Sequence, residues 1–376
     1  MKIFHLVGAR PNFMKAAPVI RSLRSRGNGV QQRLVHSGQH YDHCMSAVFF
    51  KELGLPEPDL FLGVGSGSHA YQITEIMRRL DQVLSNETPD CLLVYGDVNS
   101  TLAGALAAAR RGLAVGHVEA GLRSFDGTMP EERNRIAVDW LSQWLFAPST
   151  DAVENLQREG ISPERIYPVG NVMIDTLLHH QHDFKERPLL DQLGLRDRDY
   201  LLVTLHRPCN VDCGTRLQEI IYVLETISKG IPVLFTLHPR TEASLKEHSI
   251  QAETANLRLM PPLGYLDFLC LLSRARAVIT DSGGVQEEST FLGIPCLTLR
   301  ANTERPVTVI RGTNRLVGND PQSLLETVQE IIQTSPEPGI EPVPLWDGHA
   351  ADRIASILFE CLSQKSWVSR SALFLG

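Results

Sequence analysis

The sequence has no apolar run approaching the ~18–20 residues that a membrane-spanning helix needs. It has no excess of positive charge: 36 Lys and Arg stand against 43 Asp and Glu, a net charge of −7. Nothing therefore marks a surface for nucleic acid or an anionic membrane, although a few local cations could still hold a small anion. The seven cysteines are scattered, with Cys209 and Cys213 the nearest pair. One C-x-x-x-C without matching partners supports neither a zinc site nor a disulfide framework, so a reduced, cytoplasmic protein is expected. The N-terminus enters a strand-like KIFHLVG without a basic-then-apolar leader. No G-x-G-x-x-G follows the first strand, no Walker P-loop occurs, and no G-x-S-x-G is present. These absences argue against a nicotinamide cofactor, a P-loop nucleotidase and an α/β-hydrolase.

What is present is a long α/β pattern. The 376 residues, 43% hydrophobic and 21% charged, suit two soluble globular domains. Short apolar strands are expected at Lys2–Val7, Val30–His36, Cys91–Tyr95, Ala114–Val118 and Leu145–Ala147. Helices are expected over Met14–Arg24, after a turn at Arg10–Asn12, and over Tyr71–Leu84, Thr101–Arg111 and Glu131–Trp144. The series then restarts, with strands at Tyr200–Leu205, Pro232–Leu237, Leu257–Met260, Ala275–Ile279 and Pro295–Leu299. Alternating strands and helices imply parallel sheets covered on both faces, here two doubly wound Rossmann-like domains with a cleft between their strand C-termini. The boundary is expected near Gly170–Arg198, giving domains 1–175 and 176–346, with a last amphipathic helix at about 347–363.

In such a fold the residues just after each strand carry the chemistry. The first half offers Arg10, Asp97, Glu119 and then PEERNR, with Glu131, Glu132, Arg133 and Arg135. The second offers His206-Arg207, His238-Pro239-Arg240, TDSGGVQEE (Thr280–Glu288), Arg300 and Arg305. TDSGG reads as strand, small-residue turn and helix start, which aims backbone N–H groups and a partial positive charge at an anion. Structural readings stand beside these. Asp97 is also a natural helix cap, Glu131 and Glu132 also suit a first helical turn, and His117, inside a strand, reads as buried and hydrogen bonded. The His179–His182 run lacks carboxylate or cysteine partners and reads as a surface helix end.

Taken together, the motifs resemble one family, the non-hydrolysing UDP-N-acetylglucosamine 2-epimerases. The resemblance runs through GARPNFMKAAP (Gly8–Pro18), SGQH (Ser37–His40), YGDVNST (Tyr95–Thr101), HVEAGLRS (His117–Ser124), PEERNR and TLHRPCNVD (Thr204–Asp212). It continues through TDSGGVQEE, TERP (Thr303–Pro306), GTNRLVG (Gly312–Gly318) and DGHAADRI (Asp347–Ile354). It implies two domains of the glycosyltransferase-B type, a homodimer, a final helix packed on the first domain, and neither redox cofactor nor metal. It also implies a UDP-sugar substrate epimerised at C2 through elimination of UDP, supplying precursors for bacterial surface polysaccharides. Carried over by position, Asp97, Glu119 and Glu131 match the catalytic carboxylates and His206 a histidine near the sugar. Arg10 and Lys15 match positions near phosphates and sugar, Ser282, Gly283 and Gly284 the diphosphate contacts, and Arg305 a further substrate contact. Glu288, expected ionised, matches the ribose ligand, and Leu263 and Phe268 the uracil pocket.

Two departures from the family pattern bear on function. Ala9 and Asn12 replace a hydroxyl and a carboxylate, and Gln39–Asp42 with His206–Cys209 lack polar groups linked to activation by substrate at a second site. Intact QEE and TERP favour plain UDP-GlcNAc over diacetamido-uronic acid nucleotides. The competing readings are a hydrolysing epimerase, a glycosyltransferase of the same two-domain type and a nucleotide-sugar-binding regulator.

Overall fold

The computed structural model describes residues 1–27, 29–39, 43–252, 254–318, 320–334 and 341–363. His40, Tyr41 and Asp42 of the expected motifs, and the tail from Gln364, lie outside the described residues. The chain forms two compact units: Met1–Leu178 with the C-terminal segment from Pro344, and His179–Val343.

The first unit is a parallel sheet of seven strands. These are β1 (Lys2–Val7), β2 (Gln31–His36), β3 (Leu60–Phe61), β4 (Cys91–Tyr95), β5 (Ala114–Val118), β6 (Trp144–Ala147) and β7 (Ile166–Pro168). Their order is β3-β2-β1-β4-β5-β6-β7. The order reverses direction between β1 and β4, which opens a crevice at their C-terminal ends. The strands are apolar on both faces because helices cover both; Phe4, Leu6, Leu92 and Val94 are all buried. The loops following β1 and β4 therefore present Arg10 and Asp97 at the switch point.

The second unit repeats the plan with β8 (Leu201–Thr204), β9 (Val233–Thr236), β10 (Leu257–Met260), β11 (Ala277–Thr280), β12 (Cys296–Thr298) and β13 (Asn314–Leu316). Its order is β10-β9-β8-β11-β12-β13, all pairs parallel. Here the reversal falls between β8 and β11, so His206 and Asp281 follow the two switch-point strands. Leu201, Val203, Ile220, Leu224, Phe235 and Ile279 belong to its core.

Several boundaries differ from expectation. Arg10–Asn12 is no turn: the helix runs Arg10–Ser25, since Pro11 in a first turn costs no hydrogen bond. The helix expected to reach Trp144 ends at Leu141, because Trp144 begins β6. The last helix is Ala350–Ser363. Its first N–H groups, from Ala350 and Ala351, donate to Asp175 at 3.2 and 2.6 Å. Ser22 Oγ of the first helix donates to Asp352 at 2.6 Å, so this helix belongs to the first unit. Among the described residues no helix is long and apolar enough to cross a membrane.

Candidate active site

In the first unit, Glu119 directly follows β5. Its backbone lies in the left-handed region, φ 74°, which costs a non-glycine residue about 1–2 kcal/mol and is retained where the surroundings enforce it. The Glu119 N–H donates to Phe146 O at 3.1 Å. Its carboxylate forms an ion pair with Lys15 from the first helix, both side chains being buried. The Lys15 ammonium lies over Gly96, where an added Cβ would come within 2.8 Å of Nζ. Gly96, at φ 64°, is thus required both by its backbone and by the lysine.

Asp97 comes next and is partly exposed. Arg135, itself buried, bridges the Asp97 and Glu132 carboxylates. Glu132 is saturated by further donors: Ser124 N and Oγ at 2.9 and 2.8 Å and Phe125 N at 3.0 Å. Of the two adjacent glutamates, Glu132 is therefore the buried anchor of the 124–125 loop. Glu131 stands in the first turn of helix Pro130–Leu141, partly exposed. Asn134 Nδ2 donates to Asp97 O at 2.9 Å, fixing the loop from the other side.

A fully buried carboxylate that the motif reading did not single out, Asp139, supports this ledge. It meets His117 Nδ1 at 2.7 Å and Arg123 Nη2 at 2.7 Å and accepts from Gly121 N at 3.2 Å. Burial alone would raise its pKa, but His117 and Arg123 outweigh burial and hold it below the ordinary aspartate value. The other His117 nitrogen meets Gly96 O at 2.8 Å. The HVEAGLRS motif is thus mostly scaffolding for Glu119 and Gly96. Asn12 is scaffolding as well. Its Oδ1 accepts from Gly8 N and Ala9 N at 3.0 and 3.1 Å, and its Nδ2 donates to Tyr95 O at 2.8 Å. A carboxylate could not make that last bond. Arg10 is partly buried, with its guanidinium 5.3 Å from the Phe49 ring.

In the second unit, Ser282 precedes helix Gly283–Leu292, and its N–H donates to Thr280 Oγ1 at 3.0 Å. Ser282, Gly283 and Gly284 are partly exposed, consistent with an accessible helix start. Gly283 has a reason beyond room for a ligand. An added Cβ would lie 2.2 Å from Arg305 Nη1, so the buried guanidinium packs directly on the glycine. Arg305 Nε meets Glu287 at 2.8 Å and Nη1 meets Glu304 at 2.6 Å.

His206 is held by Asp281, the residue before Ser282. Asp281 accepts from His206 N at 3.0 Å, Arg207 N at 2.9 Å and Asn210 Nδ2 at 3.0 Å, and meets His206 Nδ1 at 3.0 Å. Burial works against its charge, yet His206 and these donors pull its pKa down to about 2. The His206 ring is 38% exposed and lies 5.3 Å from the His238 ring. A carboxylate on Nδ1 fixes the imidazole's orientation, as in catalytic and metal-ligating histidines. Glu288 is buried and accepts from Tyr265 OH at 2.9 Å. Burial pushes its pKa up to about 8 despite that bond. Leu263 and Phe268 are half-buried on either side of Tyr265. Among the described residues no group of three His, Cys, Asp or Glu side chains is placed to hold a metal ion.

Residues 22–359 match the family model described as UDP-N-acetylglucosamine 2-epimerase. The chain is 40% identical over 367 residues to the UDP-N-acetylglucosamine 2-epimerase of Methanococcus maripaludis, spanning 95% of this chain and 98% of that one. It is also 40% identical over 333 residues to the UDP-2,3-diacetamido-2,3-dideoxy-D-glucuronate 2-epimerase of Pseudomonas aeruginosa, spanning 88% and 92%. Its fold matches the crystal structure of the Methanocaldococcus jannaschii UDP-GlcNAc 2-epimerase in complex with UDP-GlcNAc and UDP. That match has a TM-score of 0.89 at 40% identity and covers 96% of this chain and 100% of the other. In family model, sequence and fold alike, the chain belongs to the UDP-N-acetylglucosamine 2-epimerase family.

Proposed function

We propose that this chain interconverts UDP-GlcNAc and UDP-ManNAc by reversible elimination of UDP. The observation that carries the reading is the buried Lys15–Glu119 pair at the first switch point, adjoining Asp97. A buried carboxylate on a strained backbone is costly to maintain, and it sits where an α/β sheet binds its ligand.

C2 of an N-acetylhexosamine carries a proton that no neighbouring carbonyl acidifies. A carboxylate takes that proton, the C2–H electron pair becomes a C1=C2 bond, and the C1–O bond breaks with its electrons on the β-phosphate of UDP. The product is 2-acetamidoglucal. Return of UDP to C1 and of a proton to the opposite face of C2 completes the inversion without net redox change. Protons must be handled on two faces, and Asp97, Glu119 and Glu131 supply the groups for it. His206 faces the sugar. Lys15, Arg10, Arg305 and the N–H groups of Ser282–Gly284 stabilise charge on the departing diphosphate. Glu288 takes the ribose hydroxyls, and Leu263 and Phe268 flank the uracil. The same reading includes a homodimer, a cytoplasmic enzyme and a product used for surface polysaccharides.

Proton NMR of UDP-GlcNAc with the protein in D2O tests the reaction: deuterium should enter C2 as UDP-ManNAc appears. A C2 that stays fully protonated during conversion would sink the elimination. A modified sugar is the second reading, because identity to the diacetamido-glucuronate epimerase equals that to the M. maripaludis enzyme. Comparing kcat/KM for the two nucleotide sugars decides between them, and release of free ManNAc would instead mark a hydrolysing enzyme.

A further inference from the structure

In the second unit a network of buried charges lies directly behind the helix start at Gly283. Glu304 is 2% exposed and sits among three guanidinium groups. Its Oε1 meets Arg305 Nη1 at 2.6 Å and Arg207 Nη2 at 3.4 Å, and its Oε2 accepts from Arg300 Nη2 at 2.6 Å. Glu287 completes the set through Arg305 Nε at 2.8 Å. Three arginines thus face these two carboxylates, with Arg300, Arg305, Glu287 and Glu304 buried and Arg207 partly exposed. Arg300 Nη1 is buried there without a hydrogen-bond partner among the described residues.

We propose that Glu304 is a positioning residue for the diphosphate dock. Its carboxylate and that of Glu287 grip two different nitrogens of the Arg305 guanidinium, and two such contacts fix the plane of a fork-shaped cation. Gly283 closes the third side, since any Cβ there would strike Nη1. The guanidinium is thereby held against the first residue of the helix, at the end whose N–H groups favour an anion. The ligand class that suits an oriented guanidinium beside a helix N-terminus is a nucleoside diphosphate. This rests on the reading of Ser282–Gly284 and Arg305 as UDP contacts.

The proposal makes a prediction of sign. As a mere counter-charge, Glu304 would weaken anion binding, and its neutralisation would tighten the hold on UDP. As a positioning residue, its neutralisation releases Arg305 and loosens that hold. UDP affinity of the full chain, measured by calorimetry, is expected to fall at least tenfold in Glu304→Gln. Glu304→Asp keeps the charge but shortens the reach, and should fall between Glu304→Gln and the wild type. In an Arg305→Ala background, Glu304→Gln should cost no further affinity, because there is no longer a guanidinium to place. Gly283→Ala, pressing on the same guanidinium from the other side, should likewise lower UDP affinity.

Unchanged or tighter UDP binding by Glu304→Gln would overturn the proposal. So would an equal loss from Glu304→Gln with and without Arg305. If Glu304→Gln shows no cooperative melt, Glu304→Asp decides alone, and wild-type affinity in that variant would overturn the proposal. A wild-type protein that binds no UDP would remove the dock itself, a different failure from wild type binding and the variants binding equally well.

Discussion

Asp281 offers the sharpest test of how the second unit is held together. Asp281→Asn preserves shape and removes charge. The wild-type carboxylate faces four donors: His206 N, Arg207 N, Asn210 Nδ2 and the His206 ring. An asparagine has one acceptor oxygen, so either orientation turns its NH2 against buried donors. Leaving one or two of them unsatisfied costs roughly 2–4 kcal/mol. Part of this cost depends on pH. Lowering a pKa from 3.8 to about 2 is worth on the order of 2 kcal/mol of folded-state stability. Because the folded value lies below the unfolded one, that contribution is complete above about pH 4–5 and disappears as pH falls through about 2. Urea unfolding of both proteins should show a gap of roughly 2–4 kcal/mol near neutrality that shrinks by about 1 kcal/mol near pH 3. Other carboxylates titrate in both proteins and cancel in the difference. A gap that stays constant between neutrality and pH 3 would refute the reasoning. Turnover should fall as well, because the His206 ring loses the charge that orients it.

Glu119→Gln should reduce turnover at least ~100-fold while calorimetry still finds wild-type UDP affinity; unchanged turnover would take Glu119 out of the mechanism. Lys15→Met removes the ammonium paired with the buried Glu119 carboxylate and should cost about 3–5 kcal/mol, read as a lower thermal midpoint and a slower enzyme. Glu288→Gln works in the opposite sense. Its folded pKa, about 8, lies above the ordinary glutamate value, so the unliganded wild type loses stability as pH rises between the two values. The variant should therefore gain in melting temperature relative to wild type at pH 8 compared with pH 5, while binding UDP more weakly.

Much of this was legible in the sequence because parallel strands buried on both faces read as plain apolar runs. Cys91–Tyr95 and Ala114–Val118 have the expected bounds. Leu60–Phe61, Ile166–Pro168 and Asn314–Leu316 were missed: two or three residues carry no periodic signal, and each lies at a sheet edge. Strand-end logic singled out Asp97, Glu119 and His206, which do follow β4, β5 and β8. It could not tell Glu131 from Glu132, because adjacent carboxylates in a first helical turn differ only in what they meet. Asp139 and Asp281 escaped attention as acids of a helix and a turn, and their roles emerge only once His117, Arg123 and His206 are folded onto them. Asn12, read as a lost carboxylate, turned out to need its amide.

The last helix, finally, has a bearing on how the molecule is made. Ala350–Ser363 rests on Ser22 and takes its N-terminal cap from Asp175, yet all of residues 179–343 intervene. On the ribosome the second unit is synthesised as one uninterrupted stretch and can close its own sheet at once. The first unit keeps its face over the first helix uncovered until Ala350–Ser363 has been made. A truncation near residue 345 would leave the second unit intact in sequence and the first unit without its last helix.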